Sequence, residues 1–444
     1  MREHNPDIQG VLDNDLCIAC GACVSACPYD FIEHNFHEYR GSNEVRFIET
    51  ADCSGCPAPC TRVCPSIDIN FAEINLQNRG TPERDGWIKQ TYIGYSPEFQ
   101  SDGKSSSGGI LRALSHYALS TGTPVLTLMK SNDDTIEYRP KLVRTESDLK
   151  QMPGSVYHST SFIGAIEILR ESENACAIVG IPCQLAGIHN YITYIEPELS
   201  NKIKLTFGIV CGWMYSYHAH ESFMSHKKLE IRPTDISYRG DDKVGLLKLS
   251  TGSGVLKFDR RNFGSKAEKL DYQSAYSTDS NRLRCRLCED HTNLLADVIA
   301  GDAWLARTQG QKVSIIGVRS DKGQKVVDEM ASKGLLLLEA GSIDDFVESQ
   351  SENLIYGITA QKMKRWFGQR GIRTPAYHFA DKGPEIETSA VDGFSFYLET
   401  LRRHVLRTGK YRTFWWLYLM KRLWIFTSRV PRLALAKLKR SLAR

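Results

Sequence analysis

Cys17-Ile-Ala-Cys-Gly-Ala-Cys-Val-Ser-Ala-Cys-Pro28 sets four cysteines at the spacing CxxCxxCxxxCP. Loops this short let three thiolates wrap one iron–sulfur cubane corner by corner, while the fourth, followed by Pro, reaches the other cluster of a pair. A zinc site is the competing reading, but structural zinc seldom uses four cysteines packed so closely. Cys53-Ser-Gly-Cys-Pro-Ala-Pro-Cys-Thr-Arg-Val-Cys-Pro65 repeats the run with one extra residue between its second and third cysteines. Crossed ligation then predicts Cys17, Cys20, Cys23 and Cys64 on one 4Fe–4S cluster and Cys27, Cys53, Cys56 and Cys60 on the other.

Outward from these runs, residues 1–80 are short of continuous apolar stretches. They read as a bacterial ferredoxin-like module whose small core is held together by metal. The whole chain has 444 residues, which implies two or three domains, and thirteen cysteines. An odd cysteine count in tight CxxC groups argues for metal sites in a reducing cytosol rather than a secreted disulfide framework. Met1 to Gly10 is polar, without the character of a signal peptide. No apolar run reaches the length of a membrane span.

Residues 85–390 read as an α/β body, so the fold class is α/β (α+β overall). Ile110, Leu111, Ala113, Leu114, Tyr117 and Ala118 keep helical spacing. Phe162–Leu169 is also helical in pattern. Pro124–Met129, Ala175–Val179, Lys202–Val210 and Lys312–Val318 have the length and composition of strands. Strands alternating with helices predict a mostly parallel or mixed sheet covered on its faces. Gly371–Asp392, with its Pro and Gly residues, reads as a linker.

Four further cysteines are dispersed: Cys183 in Gly180-Ile-Pro-Cys-Gln184, Cys211 in Phe207-Gly-Ile-Val-Cys211, and the pair Cys285 and Cys288. A single cysteine at a strand end is often just a small buried hydrophobe. Yet strand carboxyl ends in an open α/β sheet share one edge, where ligands collect. Cys176, inside an apolar run, reads as a core residue.

Ser106-Ser-Gly-Gly109, Gly154-Ser-Val-Tyr157, Gly180-Ile-Pro-Cys-Gln184, Gly208-Ile-Val-Cys211 and Cys285-Arg-Leu-Cys-Glu-Asp-His-Thr-Asn-Leu-Leu-Ala-Asp-Val298 occur in this order. With them the chain resembles the family of coenzyme F420 hydrogenase/dehydrogenase beta subunits, from about Tyr92 to about Leu338. That family also takes in reductases of chlorophyll precursors and bacterial members found with polysaccharide-synthesis genes. The resemblance implies FAD in the α/β body and a third 4Fe–4S cluster on Cys183, Cys211, Cys285 and Cys288. It assigns flavin contacts to Ser106, Ser107, Gly108, Gly109, Gly154, Ser155, Tyr157, Gly180 and Gln184. Val156 stands where relatives often carry Lys, so deazaflavin chemistry is not assumed.

The residues themselves allow these roles. A Ser-Gly turn opening a helix seats a phosphate, although such turns commonly serve only as caps. His158 could donate a proton, although a lone His is commonly structural. Asp302 could orient a cluster ligand or cap a helix, and Trp304 reads as packing.

The last expectation concerns residues 393–444. Thirteen of the 56 Lys and Arg lie in 401–444, with none of the 52 Asp and Glu, leaving the first 400 residues at net −9. Phe414–Phe426 mixes aromatic and basic residues, and Pro431 separates it from a second helical stretch, Arg432–Leu442. Basic amphipathic helices suit an anionic membrane surface, and equally a contact with the body or a partner subunit. No nucleic-acid-reading motif accompanies the charge. The expectation is a cytoplasmic iron–sulfur flavoprotein oxidoreductase, peripheral on the inner membrane face. It would carry electrons from ferredoxin or another carrier to a small-molecule or lipid-linked substrate. Two alternatives stand beside it: exchange of electrons between ferredoxin and coenzyme F420, and a non-catalytic electron-transfer subunit of a membrane complex.

Overall fold

The computed structural model describes residues 3–71, 88–131, 136–229, 233–239, 246–251, 254–259, 263–379 and 386–424. In the N-terminal module, β1 (Ile32–His37) and β2 (Ser42–Phe47) form an antiparallel pair, followed by β3 (Asp68–Asn70). The body supplies β4 (Gln90–Tyr95), β5 (Val125–Lys130), β6 (Tyr138–Val143), β7 (Cys176–Gly180) and β8 (Ile203–Ile209). A small antiparallel sheet of β9 (Asp235–Ser237), β10 (Leu246–Thr251) and β11 (Gly254–Asp259) comes next. Then follow β12 (Val298–Asp302), β13 (Ser314–Val318), β14 (Leu337–Gly341) and β15 (Ala376–His378).

The main sheet has eight strands in the order β14-β4-β13-β12-β8-β7-β5-β6. Its centre, β12-β8-β7-β5, is parallel, and every other pairing is antiparallel, so the expected mixed sheet is present. Parallel strands are covered on both faces and so read as unbroken apolar runs, as β7 does with all five residues buried. Successive side chains alternate between the faces. Ala177 and Val179 join Ile110, Leu114 and Phe207 on one side, while Ile178 joins Leu126, Ile166 and Leu185 on the other. Helix Ile110–Ser120 covers the first face; Ala165–Glu171 and Pro182–Tyr194 cover the second.

The second face is shared. Ile8, Leu16, Val45, Val63 and Phe71 of the N-terminal module belong to the same apolar cluster as Ile178 and Leu185. The module is thus built into the core of the body. The expected linker at 371–392 does not run free either: within it β15 pairs in parallel with β3, and Phe71 stacks on Tyr377 and Phe379. Helix Ala390–Arg407 follows, capped by Ser389, whose hydroxyl accepts from Asp392 N–H at 3.2 Å. Residues 411–424 form another helix. The expected helix Arg432–Leu442 lies outside the described residues.

The tail helices dock on the body through buried charge. Glu399 takes Arg286 at 2.7 Å and Arg403 at 3.0 Å, and Asp279 holds Arg402 and Lys421. Phe414, fully buried, lies under the Arg402 guanidinium at 4.0 Å. Leaving any one of these charges unpaired in the interior would cost several kcal/mol.

Candidate functional site

The two cysteine runs fold alike. In the first, Ala19 and Gly21 take positive φ, the helix Ala22–Ala26 carries Cys23, and Cys27 ends it in extended backbone. In the second, Gly55 and Ala58 take positive φ, Pro59–Val63 carries Cys60, and Cys64 ends it. The left-handed residues turn the backbone between successive cysteines of each run.

All thirteen cysteines are free thiols. For Cys20, Cys23, Cys60, Cys183 and Cys211 burial raises the pKa first, and neighbouring thiols come next. Cys20 is raised further by Cys64, Cys17 and Cys183, and Cys23 by Cys64, Cys20, Cys17 and Cys60. Cys60 is pushed up to about 11, with Cys27, Cys56 and Cys53 contributing. Cys183 is pushed up to about 12, with Cys285 and Cys288 contributing; Cys211 feels Cys285, Cys183 and Cys288. These neighbour relations join thiols within 17/20/23/64, within 27/53/56/60 and within 183/211/285/288, the three tetrads expected from the sequence, and Cys23–Cys60 and Cys20–Cys183 link the first of these groups to each of the others. Cys176 stands apart, fully buried, its thiol 3.3 Å from Ser172 Oγ.

The third tetrad is made by topology. Cys183 opens helix Pro182–Tyr194 just after β7, and Cys211 follows β8; Gly180 and Gly208 are register partners at the carboxyl ends of these parallel strands. The short helix Leu283–Arg286 brings Cys285 and Cys288 to the same edge. Met214 N–H donates to Cys285 Sγ at 3.4 Å and Tyr377 O–H to Cys288 Sγ at 3.4 Å. Among the described residues no three His, Cys, Asp or Glu side chains converge as a single metal ion requires. The measure for these tetrads is a cubane, whose thiolates sit on separate iron corners.

Two arginines lie against them. Arg282 is 2% exposed and donates to Cys17 O, to Asn43 O at 2.9 Å and to Ser159 Oγ at 3.2 Å. Arg284 is 1% exposed and donates to Pro65 O at 2.8 Å and Ser66 Oγ at 3.2 Å, with Cys288 and Cys183 acting on its charge. Neither forms an ion pair with a carboxylate among the described residues. A buried guanidinium without an anion is costly, and beside Arg284 the groups able to supply negative charge are the Tyr377 phenol and the Cys288 and Cys183 thiols.

A cavity of about 250 Å³ adjoins the third tetrad through Cys211. Ser106, Ser107, Gly109, Gly154, Ser155, Tyr157, Gly180 and Gln184 line it. Gly108 does not line it; its N–H donates to Ser314 Oγ at 2.9 Å, holding the loop to β13. Gly109 has φ +74°, and a Cβ there would meet the Phe99 backbone at 2.6 Å, so only glycine opens this helix. Ser106 Oγ lies 2.7 Å from Ser155 Oγ, joining the two loops. Arg112 fixes the second loop by donating to Met152 O at 2.9 Å while pairing with Asp102 at 2.6 Å.

His158 lies elsewhere. It is fully buried, does not line the cavity, and uses both ring nitrogens. Its Nε2 must donate to Ile136 O at 2.7 Å, so Nδ1 accepts from Tyr238 O–H at 2.8 Å. Tyr238 oxygen then accepts from His220 Nε2 at 2.7 Å, and His220 Nδ1 accepts from Tyr276 O–H at 2.9 Å. This one-way chain keeps both imidazoles neutral, and burial lowers the pKa of His158 to about 4. The geometry is that of a structural histidine.

Arg239 was not singled out from the sequence, because no spacing marks it. Its guanidinium pairs with Asp302 inside the cavity, sits 3.5 Å from Tyr157 Oη and lies 5.7 Å from the Trp304 ring centroid. A cation thus stands in this pocket although position 156 is Val. Asp302 neither caps a helix nor orients a cysteine, and Trp304 is half exposed rather than packed. Ser105 Oγ and Arg239 Nε, both buried, have no hydrogen-bond partner among the described residues. A second cavity of about 710 Å³ shares Tyr157, Trp213, Arg239 and Asp302 with the first and extends to Tyr272 and Tyr356.

Comparison with known proteins follows the same division. Residues 91–167 and 174–344 match the N and C termini of the coenzyme F420 hydrogenase/dehydrogenase beta subunit, and residues 16–67 match a 4Fe-4S dicluster domain. The chain is 23% identical over 333 residues to the F subunit of the F(420)H(2) dehydrogenase of Methanosarcina mazei, covering 73% of this chain and 84% of that one. It is 24% identical over 270 residues to the beta subunit of the coenzyme F420 hydrogenase of Methanococcus voltae, covering 59% and 86%. A chain of the F420-reducing NiFe hydrogenase complex from Methanosarcina barkeri superposes with TM-score 0.51 at 18% identity, over 66% of this chain and 99% of that chain, which is a likeness of fold. With both parts of the beta subunit in order behind a dicluster domain, the chain is an iron–sulfur protein that belongs to the family of coenzyme F420 hydrogenase/dehydrogenase beta subunits.

Proposed function

We propose that this chain conducts electrons through three 4Fe–4S clusters to an FAD, which reduces an organic substrate. The observation that carries the reading is Cys211, which belongs to the third thiol tetrad and also lines the cavity. Cys27, Cys53, Cys56 and Cys60 would hold the outer cluster, Cys17, Cys20, Cys23 and Cys64 the middle one, and Cys183, Cys211, Cys285 and Cys288 the inner one. Arg282 and Arg284 supply the buried positive charge that anionic clusters need.

The donor set of the smaller cavity fits a flavin. The Ser106–Gly109 turn opens a helix whose first N–H groups suit a pyrophosphate. Ser105 Oγ and Arg239 Nε are unpartnered polar atoms at its wall. A bound flavin would accept electrons singly and deliver a hydride equivalent. Arg239, fixed by Asp302, would orient an anionic or carbonyl group, while Tyr157 and Trp213 face both cavities and exclude water. The larger cavity is the proposed substrate site.

Ferredoxin or another electron carrier is the proposed donor, docking near the outer tetrad. A small-molecule or lipid-linked substrate is the proposed acceptor. The names of the relatives favour a second reading, in which coenzyme F420 exchanges electrons at the same cavity and the chain works within a larger complex. Among the described residues no helix is long and apolar enough to cross a membrane. We place the chain in the cytoplasm, with its basic tail on the inner membrane face.

Anaerobic purification with iron, sulfide and flavin analysis tests the reading. About twelve irons and one FAD per chain are expected for three four-iron clusters. About eight irons would remove the inner cluster, and zinc in place of iron would end the whole proposal. Rapid reduction of F420 by the purified chain would select the second reading.

A further inference from the structure

Helix 411–424 divides its apolar residues between two faces. Phe414, Tyr418 and Lys421, at i, i+4 and i+7, turn inward: Phe414 is fully buried, Tyr418 lies 4.9 Å from the Arg402 guanidinium, and Lys421 pairs with Asp279 at 2.5 Å. Trp416, Met420 and Leu423 have the same spacing and turn outward, at 63%, 59% and 65% exposure. The outward stripe continues onto the neighbouring helix. Phe394 touches Trp424 with ring centroids 4.6 Å apart, and Tyr397 lies one turn further along Ala390–Arg407. Phe394 and Tyr397 are 43% and 55% exposed. Two helices whose inner faces are fastened to the body thus present exposed aromatic and aliphatic side chains outward, and Phe394–Trp424 joins the two helices.

We infer that this strip, Phe394, Tyr397, Trp416, Met420 and Leu423, is the surface by which the chain inserts into an anionic phospholipid bilayer. The inference rests on the reading of the basic tail above and names the residues that would enter the lipid. Charge selects the occupant. Residues 401–444 carry thirteen Lys or Arg and no acid; Arg402, Arg403, Arg407 and Lys421 are paired with carboxylates within residues 1–400, and the other nine leave the tail side drawn to an anionic surface, whereas residues 1–400 have net charge −9. Aromatic rings beside Arg and Lys are the composition that settles at the headgroup boundary. The inward fastening of Phe414 and Lys421 means that the helix need not unpack to bind.

Flotation of the full chain with phosphatidylglycerol-containing vesicles, against pure phosphatidylcholine vesicles, tests this. Wild type is expected to float with the anionic vesicles and to be released by salt. W416Q/M420Q/L423Q is expected to bind at least about tenfold more weakly, since three partly inserted apolar side chains are lost. Iron content and circular dichroism of the same sample should match wild type, because all three side chains are exposed. If the triple variant floats as well as wild type, this strip is overturned while the basic tail remains a membrane contact. If wild type does not float, or floats equally with neutral vesicles, both are overturned. A strip that serves a partner subunit gives the second outcome. Cluster content decides the electron-transfer reading independently.

Discussion

Gly187 lies so close to Cys20 that a Cβ at that position would meet Cys20 Sγ at 2.9 Å and Cβ at 3.0 Å. Helix Pro182–Tyr194, whose second residue is Cys183, therefore approaches Cys20 of the middle tetrad with its backbone. Gly187→Ala should push Cys20 out of place, an overpacking that costs about 1–3 kcal/mol. The expected result is a fall from about twelve irons toward about eight per chain. It should also weaken the magnetic coupling between the middle and inner clusters, read by electron paramagnetic resonance. Full iron with unchanged coupling would show that the approach can relax.

Arg284 supplies a cation to the inner and middle sites without a carboxylate beside it. Removing that charge makes an added electron less welcome. Arg284→Met should lower the midpoint potential of a neighbouring cluster by about 60 mV, a tenfold change in a one-electron equilibrium. Arg284→Lys should lower it less. A redox titration followed spectroscopically measures the shift, and an unchanged potential would deny the arginine its electrostatic role.

Arg239, buried, and Asp302, half-buried, form an ion pair, so cutting one should do more damage than cutting both. Arg239→Met leaves the carboxylate alone and should destabilise the chain by about 3–5 kcal/mol. Arg239→Met with Asp302→Leu should regain much of that stability, yet still fail to retain flavin. Denaturant unfolding together with flavin content separates the two effects. A double variant that keeps its flavin would remove Arg239 from the cofactor site.

His158 protonates near pH 4 in the fold but near its ordinary 6.5 when unfolded. As pH falls from 6.5 to 4, the unfolded chain takes up the proton and the folded chain does not. The stability contribution is therefore complete above 6.5 and declines on acidification, by about 2 kcal/mol at pH 5. His158→Gln should flatten the fall in Tm between pH 7 and pH 5. A slope equal to wild type would show that another group controls the acid limb.

The central strands and the strand-end cysteines were legible because both depend on local pattern. Unbroken apolar runs mark β7 and β13, and parallel strands deliver Cys183 and Cys211 to one edge. The clefts formed by Ser106–Gly109 and Gly154–Tyr157 were legible as small-residue loops, from the family resemblance. Arg239, Arg282 and Arg284 were not, because their meaning comes from what lies across the fold, more than 130 residues away for Ser106 and more than 260 for Cys17. The pairing of β15 with β3 was hidden for the same reason: three residues in a Pro- and Gly-bearing stretch carry no periodicity. In the tail, composition gave the charge but could not divide Phe414 from Trp416, which only packing does.

Arg282, Arg284 and Arg286 reach respectively to Cys17 and Asn43, to Pro65 and Ser66, and to Glu399. Every second residue of this segment thus ties stretches far before and far after it in the chain to Cys285 and Cys288. During translation, then, the N-terminal thiols emerge long before the segment that neutralises them, and Glu399 emerges later still. Iron that met the N-terminal thiols before residues 282–286 were made would find no cationic wall beside them.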